Sequence, residues 1–579
     1  MMLNIDKLFC KETDSLISVM RLFDDAKFCN LPSGIGLVIN QDKKLVGTIS
    51  EGDIRRAIIA GNEINSEIKS FYIPNPITFE IGVSMSFILD NLPIELLKRK
   101  RNASKYLSKI IIVNNENLPV RIFDYHELLE QRVGSHRHLS VIGLGYVGLT
   151  MAAVLADAGF LVTGVEVDDT RFNLLSIGKS YIHEVGLQEL LDQQLNRNLF
   201  ISREIPNSAD VFIISVGTPI TLGENGQMSP LLDYLIDASE KVGRVIKNGN
   251  LVILRSTVPI GACRNIVMKK IEDISGLKCG IDFHLSFAPE RTAEGKALSE
   301  LRSLPQIIGG YNKDSTESTA AIFRDLTATI IRVESLEAAE MVKLMNNTYR
   351  DYVFAYSNHI SQIASAYNIN IFNAIKAANE GYVRDPIPMP SPGVGGPCLT
   401  KDPHIFASVS VNNSISGDLF LRGREINESM HKFICERVIQ SLFKNGKNLN
   451  ECKVLLAGLA FKGNPETGDL RNSTSIEIAN LLKSKIKNLY GYDYVADEAQ
   501  ISEYGMTPYN INYGFKDFDA ILFLNNHMSF TKFNVPEMLR QMSDKPIIFD
   551  GWNLFRWEEV ISVKPSTYIG LSYIKTTVI

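Results

Sequence analysis

The segment "LSVIGLGYVGLTMAAVLADAGFLVTGVEVDD", residues 139–169, holds an apolar strand, a glycine-rich turn, an apolar helix and a second strand, in that order. Gly143, Gly145 and Gly148 fill the spacing GxGxxG. The spacing alone is a weak signal; the strand before it and the helix after it give it meaning. Gly143 permits the tight turn, Gly145 lets the backbone approach a pyrophosphate, and Gly148 lets helix and strand pack closely. The helix N-terminus offers N–H donors and a positive dipole end to the phosphates. The second strand ends in Glu166 at roughly the 20-residue distance of a ribose-binding acid. A carboxylate there accepts from both ribose hydroxyls and repels a 2′-phosphate, a bias that Asp168 and Asp169 strengthen. The pattern predicts NAD rather than NADP. Tyr146, Val147 and Arg171, with Thr218 of "SVGTP" and Thr257 of "RSTVP", complete the candidate cofactor set.

Around this segment, residues 139–330 alternate short buried-strand candidates ("ADVFIISVGTP", "GNLVILRSTVP", "FHLSFAPER", "PQIIGG") with helical stretches. That predicts a parallel, doubly wound α/β domain. A central region, 331–449, opens with one long helical pattern, 335–382, free of Gly and Pro from Ser335 to Glu380. "KVLLAGLAFKG", "KNLYGYDY", "FDAILFLNNH" and "KPIIFDG" then predict a second α/β unit over 450–579. The expected architecture is α/β: two Rossmann-like doubly wound domains joined by a long central helix. Residues 1–133 differ. "GIGLVINQDKKLVGTISEGDIRRAIIAG" and "SKIIIVNNENLPVRIFDYHELLEQ" both read strand, polar turn, strand, helix. This internal repeat of roughly 65 residues predicts an α+β pair of small modules packed on each other. "GSHRH", 134–138, reads as a linker.

The bulk properties narrow the function. A chain of 579 residues has room for about three or four domains. Hydrophobic residues at 45% and charged residues at 22% describe an ordinary globular protein, and a net charge of −5 argues against a nucleic-acid binder. The seven cysteines are scattered and lack CxxC spacing, which fits reduced thiols in a cytoplasm better than disulfides or a zinc site. No metal is expected. The N-terminus lacks the apolar run of a signal peptide, and no stretch approaches the roughly 18 uninterrupted apolar residues of a membrane span.

"GVGGPCLTKDPH", residues 393–404, places three glycines ahead of Cys398 and a Lys–Asp pair behind it. By residue type alone, Cys398 is either a buried thiol beside a tight turn or a nucleophile with acid/base help.

"GLGYVGL", "SVGTP", "RSTVP", "APER", "KLMNN", "GVGGPCLTKD" and "AFKGNPETGDLRNS" resemble, in sequence order, the UDP-glucose/GDP-mannose dehydrogenase family. The resemblance covers about 139–579, and many spaced motifs carry it. It implies a nucleotide-sugar 6-dehydrogenase that oxidises a sugar C6 alcohol to a carboxylate with two NAD, for surface polysaccharide precursors. "LVGTISEGDIRRAI" resembles a CBS module, and the second copy is a degenerate one. The chemistry agrees with the resemblance. Alcohol to acid needs two hydride transfers through an aldehyde. A thiolate captures the aldehyde as a thiohemiacetal, which becomes a thioester that water releases. Cys398 fits that role: the glycine turn is expected to let substrate and nicotinamide reach the sulfur, and backbone N–H groups or a nearby cation to lower its pKa.

The resemblance assigns further roles. Asp402 organises water or acts as base. Lys343 stabilises the oxyanion and Asn347, one turn on along the same helix face, assists. Glu290 is a candidate general base for hydrolysis, with Thr257 ordering water beside it. Lys401 is secondary. Arg384 of "GYVRDP" reaches substrate from a neighbouring subunit. Gly395, Phe461, Lys462 and Arg471 contact the nucleotide sugar, and Glu290 lies beside it. The long helix carries a dimer contact, so a homodimer or larger homo-oligomer is expected. In the front module, Ser50 and Asp53 match the CBS step that takes adenine nucleotides. In the second copy Asp124 and Glu127 occupy those places, and an acid there repels phosphate.

Some positions depart from the family: Asn358–His359 where it often has "NE", "EVGL" for "EPGL" and "DLRNST" for "DxRxSP". "PER" resembles the UDP-N-acetylhexosamine branch, whereas "EGKAL" and "CxxKD" resemble the UDP-glucose branch; the expectation leans to the former. Two other readings are a catalytically inactive nucleotide-sensing scaffold and a dehydrogenase that stops after one oxidation. The intact Cys398, Lys343, Asn347 and Asp402 argue against the scaffold, and single oxidation needs no cysteine.

Overall fold

Alternating apolar runs give the chain its sheets. The computed structural model describes residues 5–28, 31, 34–81, 83, 88, 92, 95, 109–124, 137–223, 226 and 228–577. Two compact units result: Met1–His138 with Val154–Val162 and Ala321–Ala328, and the remainder.

In the first unit the repeat is structural. Strands Ile35–Ile39 and Leu45–Ser50 form an antiparallel hairpin whose register shifts at Val38/Ile39. Lys109–Val113 and Pro119–Asp124 form another, shifted at Ile112/Val113. Each turn is built alike. Asn40 Oδ1 accepts from Asp42 N and Lys44 N, and Asn114 Oδ1 accepts from Glu116 N and Leu118 N. The spacing, Ile35 to Lys109, is longer than the sequence pattern suggests. The hairpins pair at Leu45 and Asn117, and Leu37, Leu45, Ile111 and Val113 share one apolar cluster. The helix expected after the second hairpin, with Glu127, lies outside the described residues.

The eight-stranded sheet of the next domain runs, edge to edge, Leu199–Ser202, Leu161–Val165, His138–Ile142, Val211–Ile214, Leu251–Leu254, His284–Phe287, Gln306–Gly310 and Ile330–Val333. The first six strands in chain order lie 3-2-1-4-5-6, the doubly wound arrangement. The central strands are buried on both faces, which is why they read as unbroken apolar runs rather than alternations. The C-terminal sheet repeats the plan, with Thr507–Pro508, Asn488–Tyr492, Lys453–Ala457, Ala520–Phe523, Ile547–Asp550, Thr567–Gly570 and Ile574–Thr576 in that order.

Between the sheets the expected single helix over 335–382 is two. Ser335 starts the first: its hydroxyl accepts from Ala338 N and caps helix Leu336–Ala366. Asn368 then takes φ +51°, and Asn370 caps Ile371–Asn379 through Phe372 N and Asn373 N. Asparagine reaches the left-handed region and offers a capping oxygen, so the chain breaks without Gly or Pro. A second long helix, Asp418–Lys444, packs along the first. Among the described residues no helix is long and apolar enough to cross a membrane.

Candidate active site

The cofactor turn behaves as its glycines require. Gly143 has φ +87°, and a Cβ on Gly148 would sit 1.9 Å from the Gly143 carbonyl oxygen, so helix Tyr146–Asp157 can pack there only on a glycine. A Cβ on Gly145 would meet nothing within 4 Å: its face is open where a pyrophosphate would approach. Glu166 is buried. Its Oε1 accepts from Val167 N (2.9 Å) and Asp168 N (3.0 Å), while Oε2 is buried without a hydrogen-bond partner. A desolvated carboxylate oxygen aimed at nothing is costly unless a ligand donor completes it. These residues fit a dinucleotide whose ribose hydroxyls reach Glu166. Asp168 caps the following helix through Arg171 N, and the exposed Arg171 lies over the Tyr181 ring. Thr218 donates to the Thr257 carbonyl (2.6 Å), joining the loops after two strands at the C-terminal edge of the sheet.

The Tyr146 hydroxyl donates to Glu184, which also accepts from Gly295 N (2.7 Å) and Ala297 N (2.9 Å). The cofactor turn is thereby tied to the loop that follows Glu290.

The glycines before Cys398 are packed against the C-terminal domain. A Cβ on Gly393 would stand 2.7 Å from Thr474, one on Gly395 2.4 Å from the Asn472 carbonyl oxygen, and one on Gly396 2.7 Å from the Phe461 ring. Their missing side chains let the C-terminal domain press onto the loop. Gly396 N donates to the Asn472 carbonyl (3.1 Å), and Cys398 O closes the turn by accepting from Asp402 N (3.0 Å). The result sets Cys398, exposed to solvent, beside the segment that carries Phe461 and Lys462.

The long helix Leu336–Ala366 buries polar side chains among its apolar ones and exposes several large apolar ones. Glu340, Lys343, Asn347, Asp351 and Asn358 are buried, whereas Met341, Met345, Tyr349, Tyr352 and Tyr356 are exposed. Four of these inward residues hold loops. Glu340 accepts from Gly261 N (2.5 Å) and Cys263 N (2.8 Å), just past Thr257. Lys343 donates to the Glu290 carbonyl. Asn347 donates to Asp402 (2.6 Å), which Lys401 also reaches (2.9 Å), and Lys401 touches Thr218 (3.4 Å). Asn358 accepts from Ser391 N (2.9 Å). The sequence reading found Lys343 and Asn347 and missed Glu340 and Asp351. The signal was there: polar residues at 340, 343, 347 and 351 recur at helical period.

Two electrostatic expectations change. The Cys398 thiol lies above its ordinary pKa, not below. The residue is solvent-exposed, yet desolvation of the thiol leads this rise; Asp402 adds to it, while Lys343 and Lys401 pull the other way. Glu290 is held below the usual carboxylate range: burial opposes ionisation, but Arg255 and the backbone N–H of Thr292 outweigh it. Both of its oxygens are taken, one by Arg255 and the other by Arg291 N (2.7 Å) and Thr292 N (2.8 Å). So engaged, it is a poor proton acceptor and a good anchor for the carbonyl that grips Lys343. Glu294, four residues on, is pushed up to about 7, mainly by burial and then by Asp469.

The nucleotide-sugar candidates gather on the C-terminal side. Lys462 donates to the Glu294 carbonyl (2.7 Å), and Arg471 forks onto Asp469 (2.5 and 2.9 Å). Arg384 is exposed on the loop before Gly393. In the first unit, Ser50 and Asp53 form a capping box on helix Glu51–Ile59, and Arg56 pairs with Asp53. The step read there as a nucleotide site closes on itself.

Comparison with known proteins places these features. The UDP-glucose/GDP-mannose dehydrogenase family matches in three parts: its NAD binding domain over residues 137–327, its central domain over 337–429 and its UDP binding domain over 455–556. A UDP-N-acetyl-D-mannosamine dehydrogenase of Methanococcus vannielii is 34% identical over 431 residues, 73% of this chain and 94% of that one. A protein of the same name from Campylobacter jejuni is 34% identical over 351 residues, 60% of this chain and 83% of that one. The solved UDP-D-ManNAc dehydrogenase of Pyrococcus horikoshii superposes with a TM-score of 0.67 at 30% identity, covering 75% of this chain and 99% of that one. The open Gly145 face, the unpartnered Glu166 oxygen and the matched cofactor domain agree, and the chain belongs to the UDP-glucose/GDP-mannose dehydrogenase family, with NAD as its cofactor.

Proposed function

We propose that this protein oxidises the C6 alcohol of a UDP-N-acetylhexosamine to the uronic acid in two steps, with Cys398 as the nucleophile. The observation that carries the mechanism is an accessible Cys398 under the opposed charges of Lys343, Lys401, Asp402 and Glu294. Relatives named UDP-N-acetyl-D-mannosamine dehydrogenase support the sugar; UDP-glucose is the alternative. NAD supplies the hydride acceptor for both oxidations. The chain does the rest. The Cys398 sulfur bonds to the aldehyde carbon while its proton passes to the carbonyl oxygen. Lys343 faces the developing negative charge, where a positioned cation contributes on the order of 3 kcal/mol. After the second oxidation, water attacks the thioester carbon, the C–S bond breaks and the thiol re-forms. With Glu290 engaged, Glu294 has the proton affinity of a base working near neutral pH. Thr257 and Asp402, with Asn347 and Lys401, border the reacting centre. Lys462, Arg471, Phe461 and Gly395 receive the nucleotide sugar, the cations facing its diphosphate, and Arg384 serves the neighbouring subunit's site.

The outward stripe Met341, Met345, Tyr349, Tyr352 and Tyr356 supports a homodimer through the long helix. Six described cysteines are free, which supports a cytoplasmic setting. The twin hairpins support a CBS-like pair over 1–133. An adenine nucleotide would have to open the Ser50–Asp53 box, and calorimetry of the full chain with ATP, ADP and AMP tests it.

The deciding experiment offers purified protein NAD with a panel of UDP- and GDP-sugars and follows NADH and acid. Two NADH per acid are expected, and Cys398→Ala should abolish acid while NAD still binds. Normal acid formation by Cys398→Ala would overturn the thioester route.

A further inference from the structure

The loop that carries Cys398 is rich in glycine, and glycine gives a chain more conformational freedom to lose than any other residue. Something must hold the sulfur still. Two carbonyls bracket it, those of Val394 and Leu399, and both accept from one side chain. Arg424, on helix Asp418–Lys444, donates through one terminal nitrogen to Val394 O (2.7 Å). Its other terminal nitrogen reaches Leu399 O (3.1 Å) and Asp351 Oδ1 (2.5 Å). Its Nε donates to Glu428 (3.0 Å). The Arg424 residue is 2% exposed and Asp351 1%. Asn427 steadies Asp351 by donating to its carboxylate (2.8 Å) and its carbonyl (2.9 Å). Asn427 also accepts from Asn358, which holds Ser391 N at the start of the same loop. Asp351 stands one turn from Asn347, so the helix that presents Asn347 to Asp402 also anchors the loop that presents Cys398.

We propose that Arg424 is a positioning residue for the nucleophile: its planar fork spans the two carbonyls around Cys398, and Asp351 neutralises and orients it. This rests on the reading of Cys398 as nucleophile. The fork matters as much as the charge. A lysine would bring the charge but not donors fixed in one plane toward two carbonyls and a carboxylate. A loosened loop misplaces the sulfur, and an error of about 1 Å in a reacting group costs roughly 100-fold in rate. The first oxidation needs no thiol, so it should survive better than the second.

The test compares Arg424→Lys, Asp351→Asn and Cys398→Ala, with UDP-N-acetyl-D-mannosamine and NAD as probes. NADH, acid and hydrazine-trapped aldehyde are measured together with NAD affinity and the thermal midpoint. For Arg424→Lys the expected result is acid formation down about 100-fold. NAD affinity should stay within about twofold, and aldehyde, absent with the unaltered enzyme, should appear. Asp351→Asn keeps the shape and should show the same signature more weakly. Acid formation by Arg424→Lys within about twofold of the unaltered enzyme would overturn the proposal, while an inactive Cys398→Ala left the proposed function standing. So would an equal loss of NADH and acid in both variants with no aldehyde trapped, tracking a lowered thermal midpoint, since that is a folding effect. An active Cys398→Ala would remove the nucleophile and this proposal with it.

Discussion

In the NAD-binding domain the acid that closes the second strand, Glu166, commits one oxygen to two backbone N–H groups and keeps the other. In the C-terminal domain its counterpart, Asp493, commits both. One oxygen accepts from Leu459 N (2.7 Å) and Ala460 N (2.9 Å), the other from Val495 N (2.9 Å) and Ala496 N (3.1 Å). The turns differ in the same sense. Gly145 opens onto empty space, whereas Ala460, at the equivalent place after the first strand, is buried, and a Cβ on Gly463 would meet the backbone of His527 at 2.2 Å. Two sheets of similar strand order therefore present two different edges. One is a cradle with a carboxylate oxygen to offer. The other is filled by the protein's own groups. Topology says where a ligand can sit; unfilled polar groups say which one.

Substitutions can break this comparison. The largest effect expected is from Asp493→Ala. Four N–H groups lose their acceptor, and at about 1–3 kcal/mol for each buried group left unpaired, a loss of roughly 3 kcal/mol or more in stability should follow. NAD affinity should not move. Chemical denaturation and NAD titration on the same protein check this, and a fall in NAD affinity at unchanged stability would erase the distinction between the two acids.

Glu166→Ala should do the opposite. Two N–H groups lose an acceptor, so the stability cost is smaller, about 1–2 kcal/mol. The kcat/KM for NAD should drop about 10- to 100-fold, the equivalent of one or two lost charge-assisted hydrogen bonds, and the preference over NADP should narrow. Equal use of NADP by the unaltered enzyme would show that Glu166 does not select the cofactor.

The thiol between the two domains sharpens the picture through pH. Cys398 lies above its ordinary value of 9.0, so alkylation by iodoacetamide in the ligand-free enzyme should keep rising through pH 9. A plateau near pH 7 would mean that Lys343 and Lys401 outweigh desolvation after all.

The smallest stability effect belongs to Gly145→Ala, whose added methyl meets nothing: within about 0.5 kcal/mol of the unaltered protein, yet with a raised KM for NAD. Gly458→Ala, at φ +89° and against Asn525, should instead cost about 1–3 kcal/mol and leave the KM for NAD alone. If the two alanines behave alike, the turns are not as different as their surroundings make them.

Much of this was legible in the residues. Strands buried on both faces announce themselves as apolar runs, and Gly143 and Gly148 take the turn and the close packing their spacing required. At other positions the structure adds what the sequence does not show. Gly393, Gly395 and Gly396 look like access for a ligand because a sequence cannot show what lies opposite a missing side chain; Thr474, Asn472 and Phe461 do. Ser50 and Asp53 read as a ligand step, and the structure shows that the same spacing also makes a capping box. Residues 335–382 read as one helix because asparagine is a weaker punctuation mark than glycine or proline, yet Asn368 and Asn370 end one helix and start another.

The sequence by itself determined the local order of strand, turn and helix, the choice of NAD and the candidacy of Cys398 as nucleophile, because each depends on residues close together in the chain. Only the tertiary structure decided which carboxylates are free and which are engaged. Glu290 is occupied by Arg255, Glu294 sits near 7, Asp493 is saturated and Arg424 spans the Cys398 loop. Hydrogen bonding and desolvation act over a few ångströms in space, and the partners they join here lie tens of residues apart along the chain.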